Sequence, residues 1–264
     1  MPLATVIIPT HNRDALLARA VNSALGQTVR DIEVIVIDDG SLDQTTKVVR
    51  LLMTMDSRIR LLKLPTALGR SGGLQRNEAI KTAQGKYICY LDDDDVYTPN
   101  AVEVRAAHLD AHPEIDFCWG GTMMIRTPAA GHRMVEQQVV TRQVTTPDKT
   151  AHWIDGTVIP NELMHRAGML GETTGLWWSS GRGEDRRLMS EIQEAGLRGE
   201  PVDVITSIYG RTSPFNPKRA RLFDRGEETR TTPAPTRLPV TRTDRVLARE
   251  EEPLPRRRDV RGRR

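Results

Sequence analysis

The stretch Tyr87–Asp95 reads YICYLDDDD, an apolar run that ends in four carboxylates. Tyr87–Leu91 suits a strand buried on both faces, because no polar position interrupts it. Folding alone does not favour the four carboxylates, since adjacent negative charges repel one another. Hard divalent cations do favour them: one or two Asp oxygens, with phosphate and water completing the shell, is the usual arrangement around Mg2+ or Mn2+. Alternate residues of an extended chain point the same way, so Asp92 and Asp94 are the pair able to face one ion. A solvated acidic turn with helix-capping duty is the other reading of this run.

On either side the chain alternates. Thr5–Pro9 is a β-branched run suited to a buried strand, and 12–26 has Leu16, Leu17, Ala20, Val21, Ala24 and Leu25 at helical spacing. Ile32–Ile37 is a second strand, followed by the turn residues Asp38-Asp39-Gly40-Ser41 and a helix from Asp43 to Met55. Ile59–Leu64 is a third strand. Gly69–Gly73 is a loop, and Leu74–Gln84 is a helix with Gly85 as its cap. Thr98-Pro99 opens the next helix. Strand–helix alternation of this kind demands a mostly parallel sheet with helices on both faces. Ligands bind such sheets beyond the carboxyl ends of the strands. Pro9–Arg13, Asp38–Ser41 and Asp92–Asp95 therefore converge on one crevice.

Beyond Asp116 the pattern loosens. Phe117–Arg126 and Met134–Val144 read as strands, Asn161–Ala167 and Gly183–Ala195 as helices, and Val202–Ile208 as a last strand. From about 215 onward Pro, Arg, Thr and Glu dominate, a composition that cannot bury a core. Residues 210–264 carry 16 Lys and Arg against 8 Asp and Glu, so the preceding 209 residues net −5 although the whole chain is +3. The basic excess belongs to this tail, and whole-chain charge is no nucleic-acid footprint. The tail is expected to be solvated, or to touch an anionic membrane surface or an acidic partner.

Cys89 and Cys118 lie inside apolar runs and read as reduced, buried thiols; no Cys–His cluster has zinc-site spacing. No segment approaches the roughly 18 apolar residues that span a bilayer, and the N-terminus reads as a first strand rather than a signal peptide. A cytoplasmic chain, peripheral at the inner membrane face, is the expectation. Two further sites are ambiguous by themselves. A carboxylate at Asp38-Asp39 can accept hydrogen bonds from a base or ribose, or serve only a turn. Glu184-Asp185 at a helix start can favour the helix dipole, or supply a general base.

Together these residues resemble the family 2 glycosyltransferases, inverting enzymes with a GT-A fold. The matches are VIIPTHNR at 6–13, VIVIDDGSLDQT at 34–45, GRSGGLQRNEAIKTAQGKYICYLDDDD at 69–95 and GEDRRL at 183–188. The resemblance implies a GT-A domain over 1–214, with a nucleotide-binding half (1–116) and an acceptor half (117–214), and a disordered tail over 215–264. It implies that Pro9 and His11 lie near the nucleotide base, that Asp39 contacts the base, and that Arg76 faces the nucleotide. It further implies that Asp93 touches ribose or sugar, that Asp94 with Asp92 binds Mn2+ or Mg2+, and that Asp185 is the base. The donor would be a nucleoside-diphosphate sugar, UDP-linked first of all, and the acceptor a glycan, a lipid-linked saccharide or a small molecule.

This sequence departs from the family's pattern before Glu184. GETTGLWWSSGRGED lacks the usual Gly-Gly-Phe-Asp run and carries Trp177 and Trp178 instead. These two, with Glu184, are candidates for acceptor binding, because aromatic faces stack on sugars; core packing is the alternative for the tryptophans. The Q-x-x-R-W motif of processive synthases is missing. A sugar nucleotidyltransferase would place a Gly-rich loop directly after the first strand, where this chain has Pro9-Thr10-His11-Asn12-Arg13. A non-catalytic nucleotide-sugar-binding module is the remaining rival, disfavoured by the intact Asp92, Asp94 and Asp185.

Overall fold

In a computed structural model, the structure describes residues 1–65, 68, 72–126, 136–140, 158–173, 177 and 184–210. The chain divides into a unit spanning Met1–Ala220 and a second spanning Arg221–Arg264; all the described residues belong to the first. The expected 214/215 boundary and the tail lie outside the described residues.

Among the described residues, nine strands form one sheet: β1 (Ala4–Thr10), β2 (Ile32–Asp38), β3 (Ile59–Lys63), β4 (Tyr87–Tyr90), β5 (Val96–Tyr97), β6 (Phe117–Arg126), β7 (Glu136–Val140), β8 (Leu163–Arg166) and β9 (Gly199–Gly210). The order is β3-β2-β1-β4-β8-β6-β9-β5, with β7 paired to β6. The first four strands are mutually parallel, and β6 and β9 are parallel to each other, while β8 runs antiparallel to both β4 and β6. The helices are α1 (Leu17–Leu25), α2 (Thr45–Met55), α3 (Gly73–Ile80), α4 (Ala101–Ala111) and α5 (Glu184–Glu194).

Side-chain alternation along the central strands builds two cores. Tyr87, Cys89 and Leu91 point to one face with Val6, Ile8, Val34 and Val36, where α1, α2 and α4 cover them through Leu17, Val21, Val49, Val102 and Leu109. Ile88 and Tyr90 point to the other with Ile7, Ile35 and Ile37, covered by Ala79 of α3 and by Leu188, Met189 and Ile192 of α5. Each such aliphatic side chain contributes roughly 1.5–3 kcal/mol by leaving water. Cys89 and Cys118 are free and buried, as their apolar surroundings imply. Among the described residues, no helix is long and apolar enough to cross a membrane.

Three local expectations are corrected. Asn161–Ala167 is not a helix: Pro160–Glu162 forms one 3-10 turn, and Leu163–Arg166 is strand β8. The gap between β4 and β6 must be filled by a strand, and that pairing overrides local helical preference. The expected helix 74–84 ends at Ile80, so Gly85 is not its cap. Gly85 is glycine for a different reason: a Cβ there would lie 2.3 Å from the Thr5 backbone nitrogen. The helix expected over 12–26 begins only at Leu17, because 11–13 is tied into the loop after β2.

Candidate functional site

The carboxyl ends of β1, β2 and β4 are laced together by short polar bonds. Beyond β1, the Asp39 amide donates to the Thr10 carbonyl at 2.9 Å. His11 Nδ1 donates to the Asp39 carbonyl at 2.7 Å, which leaves Nε2 to accept from the Asn12 amide at 2.9 Å. Asn12 takes a left-handed conformation (φ 53), and its backbone amide donates to Ser41 Oγ at 2.9 Å. Asp38 is wholly buried and caps the turn, accepting from the Ser41 amide at 2.9 Å. Asp39 is also buried: one oxygen accepts from the Leu68 amide and the other from Gln75 Nε2, both at 2.6 Å. The second carboxylate of this pair thus ties β2 to α3.

The acidic run closes a tight turn, with the Asp95 amide donating to the Asp92 carbonyl at 3.1 Å. Asp92 accepts from Arg76 Nη2 at 2.8 Å. Asp93 accepts from Thr10 Oγ1 at 2.8 Å and faces Arg13 Nε at 3.5 Å. Burial raises the Asp93 carboxyl to about 7; the neighbouring charge of Asp94 adds to this, and Thr10 and Arg13 oppose it. The Asp94 carbonyl accepts from Arg19 Nη2 at 2.6 Å.

Two residues not singled out in the sequence hold this turn. Asn161 is fully buried; its Oδ1 accepts from the Asp92 amide at 2.7 Å and its Nδ2 donates to Asp95 Oδ2 at 2.5 Å. The Arg105 guanidinium in turn holds the Asn161 segment, donating to the carbonyls of Asn161, Glu162 and Leu163 at 3.1–3.3 Å while lying 4.7 Å from the Tyr97 ring centroid.

Behind the acidic run stands an aromatic wall. The Arg76 guanidinium carbon lies 4.9 Å from the Trp177 ring centroid. Asn77 grips the Trp177 backbone from both sides, donating to its carbonyl at 2.7 Å and accepting from its amide at 2.9 Å. Tyr90 meets Trp177 edge-on at 5.1 Å. His165 Nδ1 donates to the Arg166 carbonyl, so its Nε2 accepts the Tyr90 hydroxyl at 2.7 Å; burial pushes this imidazole down to about 4. Gly72 (φ 86) has no Cβ, and one would sit 3.1 Å from the Arg76 guanidinium.

Of the two readings of Trp177, sugar platform or core, this packing matches core. Trp177 is 3% exposed, with Arg76 over its ring and Tyr90 against it, so it offers no open face. Trp178 lies outside the described residues, as does the Glu184 side chain. Arg76 is likewise buried and holds Asp92 rather than projecting into open space. Pro9 is half-buried within β1, and His11 is exposed just beyond it. Asp185 is half-buried in the first turn of α5, whose inner side packs into the same core as Tyr90 and Trp177.

The donor set fits a hard divalent cation. Among the described residues, no three carboxylates of the run converge on one point; one or two carboxylates, with phosphate and water, is the set such an ion commonly takes. The repulsion between buried Asp93 and Asp94 is the kind a cation relieves.

A mostly parallel sheet with helices on both faces and an acidic turn at the end of its central strand defines the GT-A class of fold. Residues 5–153, more than half of the chain, match Glycosyl transferase family 2 as a profile, and the chain belongs to that family. It is 32% identical over 139 residues to the Escherichia coli enzyme UDP-Glc:alpha-D-GlcNAc-diphosphoundecaprenol beta-1,3-glucosyltransferase WfgD, covering 53% of this chain and 53% of that protein. The chain thus spans about half the length of this relative. Among solved structures, S. aureus TarS 1–349 in complex with UDP-GlcNAc is similar with a TM-score of 0.62, at 22% identity over 81% of this chain and 59% of that one. The mannosyltransferase PcManGT from Pyrobaculum calidifontis, in complex with GDP-Man and Mn2+, is similar with a TM-score of 0.59, at 17% identity over 80% of this chain and 58% of that one.

Proposed function

We propose that this chain transfers a sugar from a nucleoside-diphosphate sugar to an acceptor hydroxyl with inversion at the anomeric carbon. The observation that carries this reading is the acidic turn Asp92–Asp95, latched by Asn161 at the strand ends of a family 2 domain. The base and ribose would lie along Pro9, His11, Asp39 and Asp93, with Arg76 holding Asp92 in place. A divalent ion, Mn2+ or Mg2+, held by Asp94 and Asp92 would neutralise charge on the leaving diphosphate. Asp185 would take the acceptor's proton as its oxygen attacks, with Glu184 beside it.

WfgD's name supports a UDP-sugar donor and a lipid-linked acceptor. A lipid-linked acceptor would bring the chain to the inner membrane face as a cytoplasmic, peripheral enzyme. The basic stretch 215–264 is then a solvated tail or a membrane contact, with clustered Arg and Lys gaining roughly 1 kcal/mol each near an anionic surface.

The test is a panel of nucleotide sugars incubated with Mn2+ and saccharide or lipid-linked acceptors. Acceptor-dependent release of nucleoside diphosphate is the expected result. Pyrophosphate release would point instead to a nucleotidyltransferase, and donor binding without turnover to a binding module.

A further inference from the structure

Helix α4 begins just beyond the acidic turn, and its last residues lie roughly 16 Å further along its axis. His108 and His112 occupy that far end. Their spacing of four residues sets both on one helix face, with ring centroids 4.6 Å apart. Glu200, near the start of β9, comes alongside, its Oε2 lying 3.3 Å from His108 Nε2. One ligand atom from each of His108, His112 and Glu200 lies within 4.8 Å of the others.

Three features fit a shared ion better than a simple His–Glu pair. His108 Nε2 is buried and faces Glu200 Oε2 at 3.3 Å without the alignment of a good hydrogen bond. Its distance from Oε2 matches the separation of two ligands on one tetrahedral ion, since bonds of about 2.0–2.1 Å place neighbouring ligands about 3.3 Å apart. His112 Nδ1 lies 3.2 Å from Glu114 Oε1. With Nδ1–H donating a hydrogen bond to that carboxylate, Nε2 is left as the lone-pair donor, the usual support for a metal-bound imidazole.

We infer that His108, His112 and Glu200 form a binding site for a transition dication such as Zn2+, joining the end of α4 to the start of β9. Two imidazoles and one carboxylate suit zinc rather than magnesium, which prefers oxygen alone. The site is separate from the acidic turn. The ion's role is to clamp α4 to β9, because a ligand held only by the folded state stabilises it.

The experiment uses the full chain, stripped with EDTA and freed of chelator, titrated calorimetrically with ZnCl2 in excess Mg2+. One saturable equivalent is expected, accompanied by a rise in Tm. His108→Gln, His112→Gln and Glu200→Gln should each weaken Zn2+ binding by about 100-fold or more, and Glu114→Gln by about 10-fold. Asp94→Asn should leave it unchanged. His112→Gln, at a half-exposed helix end, should keep the Tm of the stripped protein and its nucleoside-diphosphate binding while losing the Zn2+-induced rise. Saturable binding that survives all three ligand substitutions would overturn the site, as would no saturable binding at all.

Discussion

Arg76 lies over the Trp177 ring at 4.9 Å while its Nη2 reaches Asp92 at 2.8 Å, so one guanidinium joins the aromatic wall to the acidic turn. The fork is planar and stacks, and a lysine ammonium does neither. Arg76→Lys should therefore weaken nucleoside-diphosphate binding by about tenfold, or roughly 1.4 kcal/mol, and lower Tm by a few degrees. Calorimetric titration with UDP and a thermal melt would check both. Unchanged affinity would mean that Asp92 needs no such support.

Asp94 tests the cation. Asp94→Asn should abolish Mn2+-dependent nucleotide binding and leave Tm unchanged or raised, since it removes the like charge that pushes Asp93 up. Binding by the unsubstituted chain that persists in EDTA would defeat the metal assignment.

Asp185 is proposed to act on the acceptor, so its effects should separate from donor binding. Asp185→Asn should cut kcat by roughly 10²–10⁴ while the donor Kd moves by less than about threefold. Glu184→Gln is the control and should cost less. A dead Glu184→Gln beside an active Asp185→Asn would move the role by one residue.

His165 predicts a pH dependence. Burial holds its imidazole neutral down to about 4, against an ordinary 6.5. Between these values the unfolded chain takes up a proton that the folded chain refuses. This contribution is therefore complete above pH 6.5 and is lost on acidification at about 1.4 kcal/mol per pH unit, levelling near 4. His108, also lowered by burial, acts in the same direction, and raised Asp93 acts in the opposite one. Urea midpoints for wild type and His165→Gln across this window isolate the term: their difference should change with pH. Parallel profiles would show that the imidazole carries no such shift.

Among the first four strands, β4 was legible as a continuous apolar run, and β1 to β3 as aliphatic and β-branched runs broken by single polar residues such as Glu33 and Arg60. The helices between them were legible in place but not in extent, because long-range bonds such as Arg13 amide to Thr45 Oγ1 decide where α1 can start. The site residues could be named where carboxylates stood at strand ends, yet their partners could not. Asn161 is a polar residue in NELMHRA with no local mark; its meaning comes from Asp92 and Asp95, far back along the chain. Trp177 left two readings open for a related reason, since an aromatic residue reads alike whether its ring is open or covered by Arg76.

Asn161 stands beyond residue 153, where the match to the family ends, yet it sets the turn that the match contains. The residues before and after that point are therefore not interchangeable modules. A chimera joined at that point to a second half lacking an equivalent of Asn161 should lose the latch and reshape the acidic turn, even with every residue of the first half retained. If the later half selects the acceptor, as proposed, such an exchange would alter the acidic turn along with it.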